Sequence, residues 1–182
     1  MAATPVDDAP MNEPEDVMQA GAKPTDDHIH VHFPLDVDEG WPPVAVEAVW
    51  AIDNGDGTAR LDNVPFFAIG VAYQDLVAVA EDDAGCHQFA GVQAGSGHST
   101  VRVIAAEAAA LPGFIEKLVT LGCAFERSYI AALAAFDVPP HVDYAAIRAW
   151  LDEQEAAGVL DYEEGSLASQ HAEAANVADA IH

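Results

Sequence analysis

A chain of 182 residues with 31 acidic and 6 basic side chains, net charge −25, has room for one sizeable core or two small ones. That charge repels phosphate, so nucleic acid and anionic membranes are poor partners; a basic protein, salt adaptation or plain solubility fits it better. Two cysteines without CxxC spacing give neither a disulfide framework nor a cysteine zinc site, and no cofactor fingerprint is present.

The first 26 residues hold six acids and Lys23 without hydrophobic periodicity and read as a disordered acidic leader. Removing their −5, and the −2 carried after Gln170 by Glu173 and Asp179, leaves −18 on the intervening part. The acidity therefore belongs to the folding region as well as to the ends. With no basic region followed by an apolar run at the start and no apolar run of spanning length, the cytoplasm is the expected location.

From residue 27 to 97 the punctuation predicts a small antiparallel β-barrel-like subdomain. Ile29, Val31 and Phe33 alternate with His28, His30 and His32, and strands resume from Val44 through Ile52. Asp53-Asn54-Gly55-Asp56-Gly57 predicts a hairpin turn, because Asn and Gly accept positive φ, and Thr58–Leu61 returns as its partner. A second hairpin joins Leu76–Ala80 to Cys86–Val92.

From 98 to 169 the pattern predicts a ferredoxin-like α+β subdomain in the order β-α-β-β-α-β. Leu111, Phe114, Ile115, Leu118 and Leu121 share one helical face, stopped by Gly122. Asp143 caps a second helix with Tyr144, Ile147 and Leu151 inward and Gly158 as its stop. The strands are Thr100–Ala105, Cys123–Tyr129, Leu133–Val138 and Val159–Glu163, and the turn near Ile130 lacks Gly, Pro or Asn. Residues 170–182, rich in alanine, read as a C-terminal tail or frayed helix outside the core.

Several segments together carry a resemblance: Trp41-Pro42-Pro43-Val44 through Glu47 and Trp50, Leu61-Asp62-Asn63-Val64-Pro65-Phe66-Phe67, Ser96 to Val103, Leu121-Gly122-Cys123 and Glu126-Arg127-Ser128. Over roughly residues 31–167 the chain resembles the bacterial family described as domain of unknown function 4265. The resemblance implies a coherent domain and brings no activity with it.

Candidate chemistry concentrates at the joint between the halves. In Gly95-Ser96-Gly97-His98-Ser99-Thr100, two glycines let the backbone turn and present N–H groups, His98 is an acid–base group near neutrality, and Ser99 and Thr100 offer hydroxyls. No third group to orient a nucleophile is evident, and the structural alternative is a polar linker. Arg60, Arg102 and Arg127, with Asp62 nearby, are expected either to converge there as an anion site or to form ion pairs bridging the subdomains. His28, His30 and His32 share one strand face and are weak metal candidates, with the exposed face of an edge strand as the plainer account.

Two functions follow. The first is a non-enzymatic binding or regulatory protein, for instance an inhibitor or immunity-type protein, engaging a basic partner. The second is an enzyme or small-ligand sensor with a polar site at the joint.

Overall fold

The structure, a computed structural model, describes residues 27–179. The leader expected over residues 1–26 lies outside the described residues, as do residues 180–182. The described residues form a mixed α+β fold of two sheets and three α-helices.

The first sheet comprises β1 (His28–Pro34), β2 (Val46–Asp53), β3 (Thr58–Leu61), β4 (Leu76–Glu81) and β5 (His87–Ala94) in sequential order. The alternation read in β1 sets its faces: Val31 and Phe33 point inward with Val49, Ala51, Leu61 and Val77. In the β2–β3 turn, Gly55 and Gly57 take φ of 73° and 83°, and the Asp53 carboxylate accepts from Gly55 N at 2.9 Å. Neighbouring strands are antiparallel, but β1 also pairs with β5 and closes the sheet in parallel, over Val31↔His87 and His32↔Gln88. The antiparallel pairing expected from the hairpins holds for every sequential pair, and only the short closing pair is parallel. In an up-and-down run of five strands the first and last point the same way, so closure has to be parallel.

The second sheet is built by β6 (Ser99–Ala105), α1 (Leu111–Thr120), β7 (Ala124–Arg127), β8 (Leu133–Val138), α2 (Tyr144–Ala156) and β9 (Leu160–Ser166). Its strand order, β7-β8-β6-β9, places β8 between β6 and β7, and β6 between β8 and β9; every neighbouring pair is antiparallel. Leu111, Ile115 and Leu118 of α1 and Tyr144, Ile147 and Leu151 of α2 pack on Val101, Val103 and Phe136 to form the larger core. Asp143 caps α2, its carboxylate accepting from Ala145 N at 3.1 Å. The β7–β8 turn without Gly, Pro or Asn is made by Ser128, whose Oγ accepts from Ile130 N at 3.1 Å.

The reading of the C-terminal tail as lying outside the core is corrected. Ser169–Asp179 forms a third helix, α3, whose His171 and Ala175 are buried against the larger core. Its alanines give almost no amphipathic signal, yet their small side chains allow close approach to α2.

The face of the second sheet opposite the helices receives the β3–β4 connection, residues 62–75. Val64 and Phe66 of that loop pack on Leu133 and Ala135 of β8. An irregular segment buried between two sheets needs partners for its backbone groups, and carboxylates provide many of them. Glu47 of β2, only 9% exposed, accepts from the N–H groups of Phe66, Phe67 and Ala68. Glu126 of β7 accepts from Val64 N at 2.9 Å and Asn63 Nδ2 at 2.8 Å. Asp75 accepts from Ala72 N at 2.8 Å and from Ser96 N at 2.7 Å. Gly70 N donates to Gly165 O at 2.8 Å, and Thr100 Oγ1 to Val71 O at 3.2 Å.

Removing the Glu47 carboxylate strands three backbone donors. Glu47→Ala is expected to lower unfolding free energy by on the order of 3 kcal/mol, measured by urea denaturation. The exposed control Glu153→Gln should stay within about 0.5 kcal/mol of the parent.

Candidate functional site

The expected joint, Gly95 to Thr100, lies at the seam between the two sheets. Gly97 has φ 86° and sits against α3 and the residues before α2. A Cβ there would meet Gln170 Nε2 at 3.2 Å and Pro140 Cγ at 3.3 Å. Ser96 Oγ donates to Tyr73 O at 2.7 Å and accepts from His98 N at 3.2 Å. His98 Nδ1 lies 2.7 Å from Asp137 Oδ1, and its ring meets the edge of Tyr73 at 5.5 Å. Burial raises the Asp137 carboxyl above its ordinary value, an effect that the His98 hydrogen bond opposes.

Ser99 is fully buried. Its Oγ accepts from Ala168 N at 2.9 Å and is hydrogen-bonded to His171 Nδ1 at 2.7 Å. Both partners of this segment, Asp137 and His171, were missed in the sequence. Asp137 carried a legible signal as the one charged residue in the apolar run Leu133–Val138. His171 stood in the presumed tail. The arrangement is a brace: it ties β6, β8, α3 and the seam loop together and leaves Ser99 closed to any substrate. Cys123 is equally closed, its thiol pushed up to about 12 by burial.

The three arginines do not converge. Arg102 is 5% exposed and donates from Nη1 to Glu163 at 2.7 Å and from Nη2 to Ala68 O. Its guanidinium lies against Gly165, where a Cβ would come within 2.8 Å of Cζ. Arg60 is exposed and donates to Gln74 O at 2.9 Å. Arg127 is exposed on β7, and Asp62 turns away from Arg60 to bond His28 Nε2 at 2.9 Å. The Arg102–Glu163 ion pair lies within the second sheet, between β6 and β9, and only the bond to Ala68 O reaches across to the loop; it is therefore not an ion pair that bridges the halves, and the anion site is not assembled.

The histidine face also differs from expectation. β1 lies between β2 and β5 and is not an edge strand. His28 bonds Asp62, and the His30 ring lies 3.7 Å from the Trp50 ring. Among the described residues no group of three or more His, Cys, Asp or Glu is placed to hold a metal ion.

A cleft of about 550 Å³ opens beside Arg102, between the β1–β2 connection, the seam loop and the edge strand β9. Leu35, Trp41, Phe66, Phe67, Ile69 and Ile104 make it predominantly apolar. Asp36, Asp161 and Glu163 contribute its acidic groups, all of them exposed. Trp41 is 47% exposed, and its ring stands at 81° to that of Phe67 with centroids 5.6 Å apart. This cleft was not legible beforehand, because its walls come from five separate stretches of chain.

Burial holds His171 below its ordinary value of 6.5, so the unfolded chain takes up this proton more readily than the folded one. The stability it contributes is complete above 6.5 and is lost as the pH falls through the lowered folded value. The ring lies beside Ser99, Tyr144, His98 and Asp137; the Pro139 backbone and the Asp137 carboxylate oppose the effect of burial without overcoming it. Amide exchange in α3, corrected for intrinsic rates, is expected to accelerate by up to roughly tenfold per pH unit between 6.5 and the lowered folded value and to level off below it. Unchanged protection at pH near 5 would contradict this assignment.

No curated protein matches the chain. A crystal structure described as that of a hypothetical protein from Neisseria gonorrhoeae is similar over 81% of this chain and 99% of its own, with 21% identity and a TM-score of 0.64. At that identity the likeness shows a shared fold. Among the described residues no helix is long and apolar enough to cross a membrane. The family model described as Domain of unknown function (DUF4265) matches residues 47–162, a span that runs from Glu47 of the first sheet to Tyr162 of the second and includes the whole seam loop; the chain belongs to that family.

Proposed function

We propose that this chain is a non-enzymatic binding protein whose acidic surface engages a basic partner, with an inhibitor or immunity-type role as one concrete form. In this reading a barrel-like first unit docks on a ferredoxin-like second unit to make one rigid body, and the protein works in the cytoplasm.

The observation that carries the reading is how the few cations are disposed. Arg102 is held by Glu163, and Arg148 lies 3.9 Å from Asp152 and 4.0 Å from Glu164. The remaining cations among the described residues are Arg60, Lys117 and Arg127, all exposed. Against them stand exposed acids on nearly every side: Asp36, Asp38 and Glu39 before β2, Glu81, Asp82 and Asp83 at the β4–β5 tip, and Asp152, Glu153 and Glu155 on α2. Such a field accelerates encounter with a cationic surface and weakens with salt. The polar groups proposed for an enzyme or sensor are meanwhile engaged or scattered: Ser99 is closed, His98 is bonded to Asp137, Arg102 is bonded through both terminal nitrogens and Arg127 stands apart.

Affinity capture from the source cell, followed by identification and purification of what is retained, tests this. A protein of high isoelectric point is expected, associating with the purified chain at a rate that falls at least tenfold between low and near-physiological salt. Recovery of no basic protein at either salt concentration would remove the proposal.

A further inference from the structure

We infer that the seam cleft is where the basic partner is held, and that it takes an arginine side chain of that partner together with the apolar residues flanking it. This rests on the reading of the chain as an acidic binding protein and adds a place and a chemistry to it.

The volume, about 550 Å³, exceeds what one guanidinium fills and falls in the range of clefts that enclose a ligand of several groups. Its apolar walls end in side chains left open to water: Trp41 at 47% and Ile69 at 64% exposure. Trp41 is not on a loose loop. Glu39 and Gly40 take φ of 49° and 86°, reversing the chain so that Asp38 and Trp41 exchange two backbone hydrogen bonds of 2.9 Å. The ring is thereby fixed before any partner arrives, nearly perpendicular to Phe67. Two aromatic rings at right angles form a corner whose faces attract a cation.

Charge selects the occupant. The cleft's one cation, Arg102, is neutralised by Glu163, while Asp36 and Asp161 have no Lys or Arg within salt-bridge distance among the described residues. A carboxylate-bearing or phosphate-bearing ligand would meet this acidic rim and be repelled. An arginine suits both features at once: its planar guanidinium stacks on an indole while its forked N–H groups reach carboxylates. Apolar neighbours of that arginine would cover Ile69 and Leu35.

The test is an NMR titration of the full chain with a blocked tripeptide carrying arginine between two leucines, and with its counterpart carrying citrulline, the neutral isostere. The arginine peptide is expected to shift the Trp41 indole N–H and the amides of residues 67–70 and 161–163, with the citrulline peptide binding at least tenfold more weakly. Trp41→Ala and Asp161→Asn should each weaken the arginine peptide at least tenfold without changing Tm, and Glu116→Gln on α1 should leave it as in the parent. Equal binding of the two peptides, or no shifts at the solubility limit, would overturn the cleft as an arginine site. Shifts confined to surfaces away from the cleft would overturn it too, while leaving the acidic-binder reading intact. That broader reading fails separately, if capture from the cell retains no basic protein.

Discussion

Everything in this molecule turns on how one irregular segment is made comfortable between two sheets. Residues 62–75 run through the seam, where water is scarce and no neighbouring strand pairs with most of their backbone. Unpaired N–H groups in such a place cost more than most packing contacts return. Carboxylates from opposite sides resolve the conflict: Glu47 from the first sheet takes three donors, and Glu126 from the second takes two. Charged acceptors suit this work because each has two oxygens and makes stronger bonds than a neutral carbonyl. Arg102 supplies the opposite half of the solution by donating to Ala68 O. The loop is thus hydrogen-bonded to side chains of both sheets.

The acidity of the chain then divides into two physical roles. Glu47, Asp75, Glu126 and Asp137 lie in or near the seam and are consumed by hydrogen bonds. Burial raises Glu126 and Asp137 above ordinary carboxyl values, which marks them as structural groups held against a desolvation penalty. The acids on loops and helix faces set the field around the molecule; some of them, such as Asp53, Asp56 and Asp82, also accept hydrogen bonds within their own turns, yet stay open to water. A composition of 31 acids conceals this division; only the placement of each one reveals it.

Much of the fold was legible in the residues. Period-two alternation in His28–Phe33 set the faces of β1, Gly55 and Gly57 marked the first hairpin, and the apolar faces ending at Gly122 and Gly158 marked both long helices. What stayed hidden depended on contacts distant in sequence. The parallel closure of β1 on β5 follows from strand parity, not from any local pattern. For α3 a helix was one of two readings, but its packing on the core escaped because its apolar residues are mostly alanines, which give little amphipathic contrast. At the joint, Ser96 to Thr100 runs from the end of β5 into β6, but its partners, Tyr73, Asp137 and His171, sit 23 to 72 residues away. Those partners decide whether a serine beside a histidine reacts or merely braces. Arg60, Arg102 and Arg127 looked alike as strand arginines, and only Arg102 lies on the sheet face that meets the loop.

If the seam loop is held as firmly as its hydrogen bonds imply, its amides should behave like those of a strand despite their irregular path. Native-state hydrogen exchange of Val64, Phe66, Phe67 and Ala68 measures this directly. The account predicts protection within an order of magnitude of the central strands β6 and β8. Exchange of these four amides at the rate of an exposed turn such as Asn54–Gly57 would show that the two halves are joined by something other than this loop.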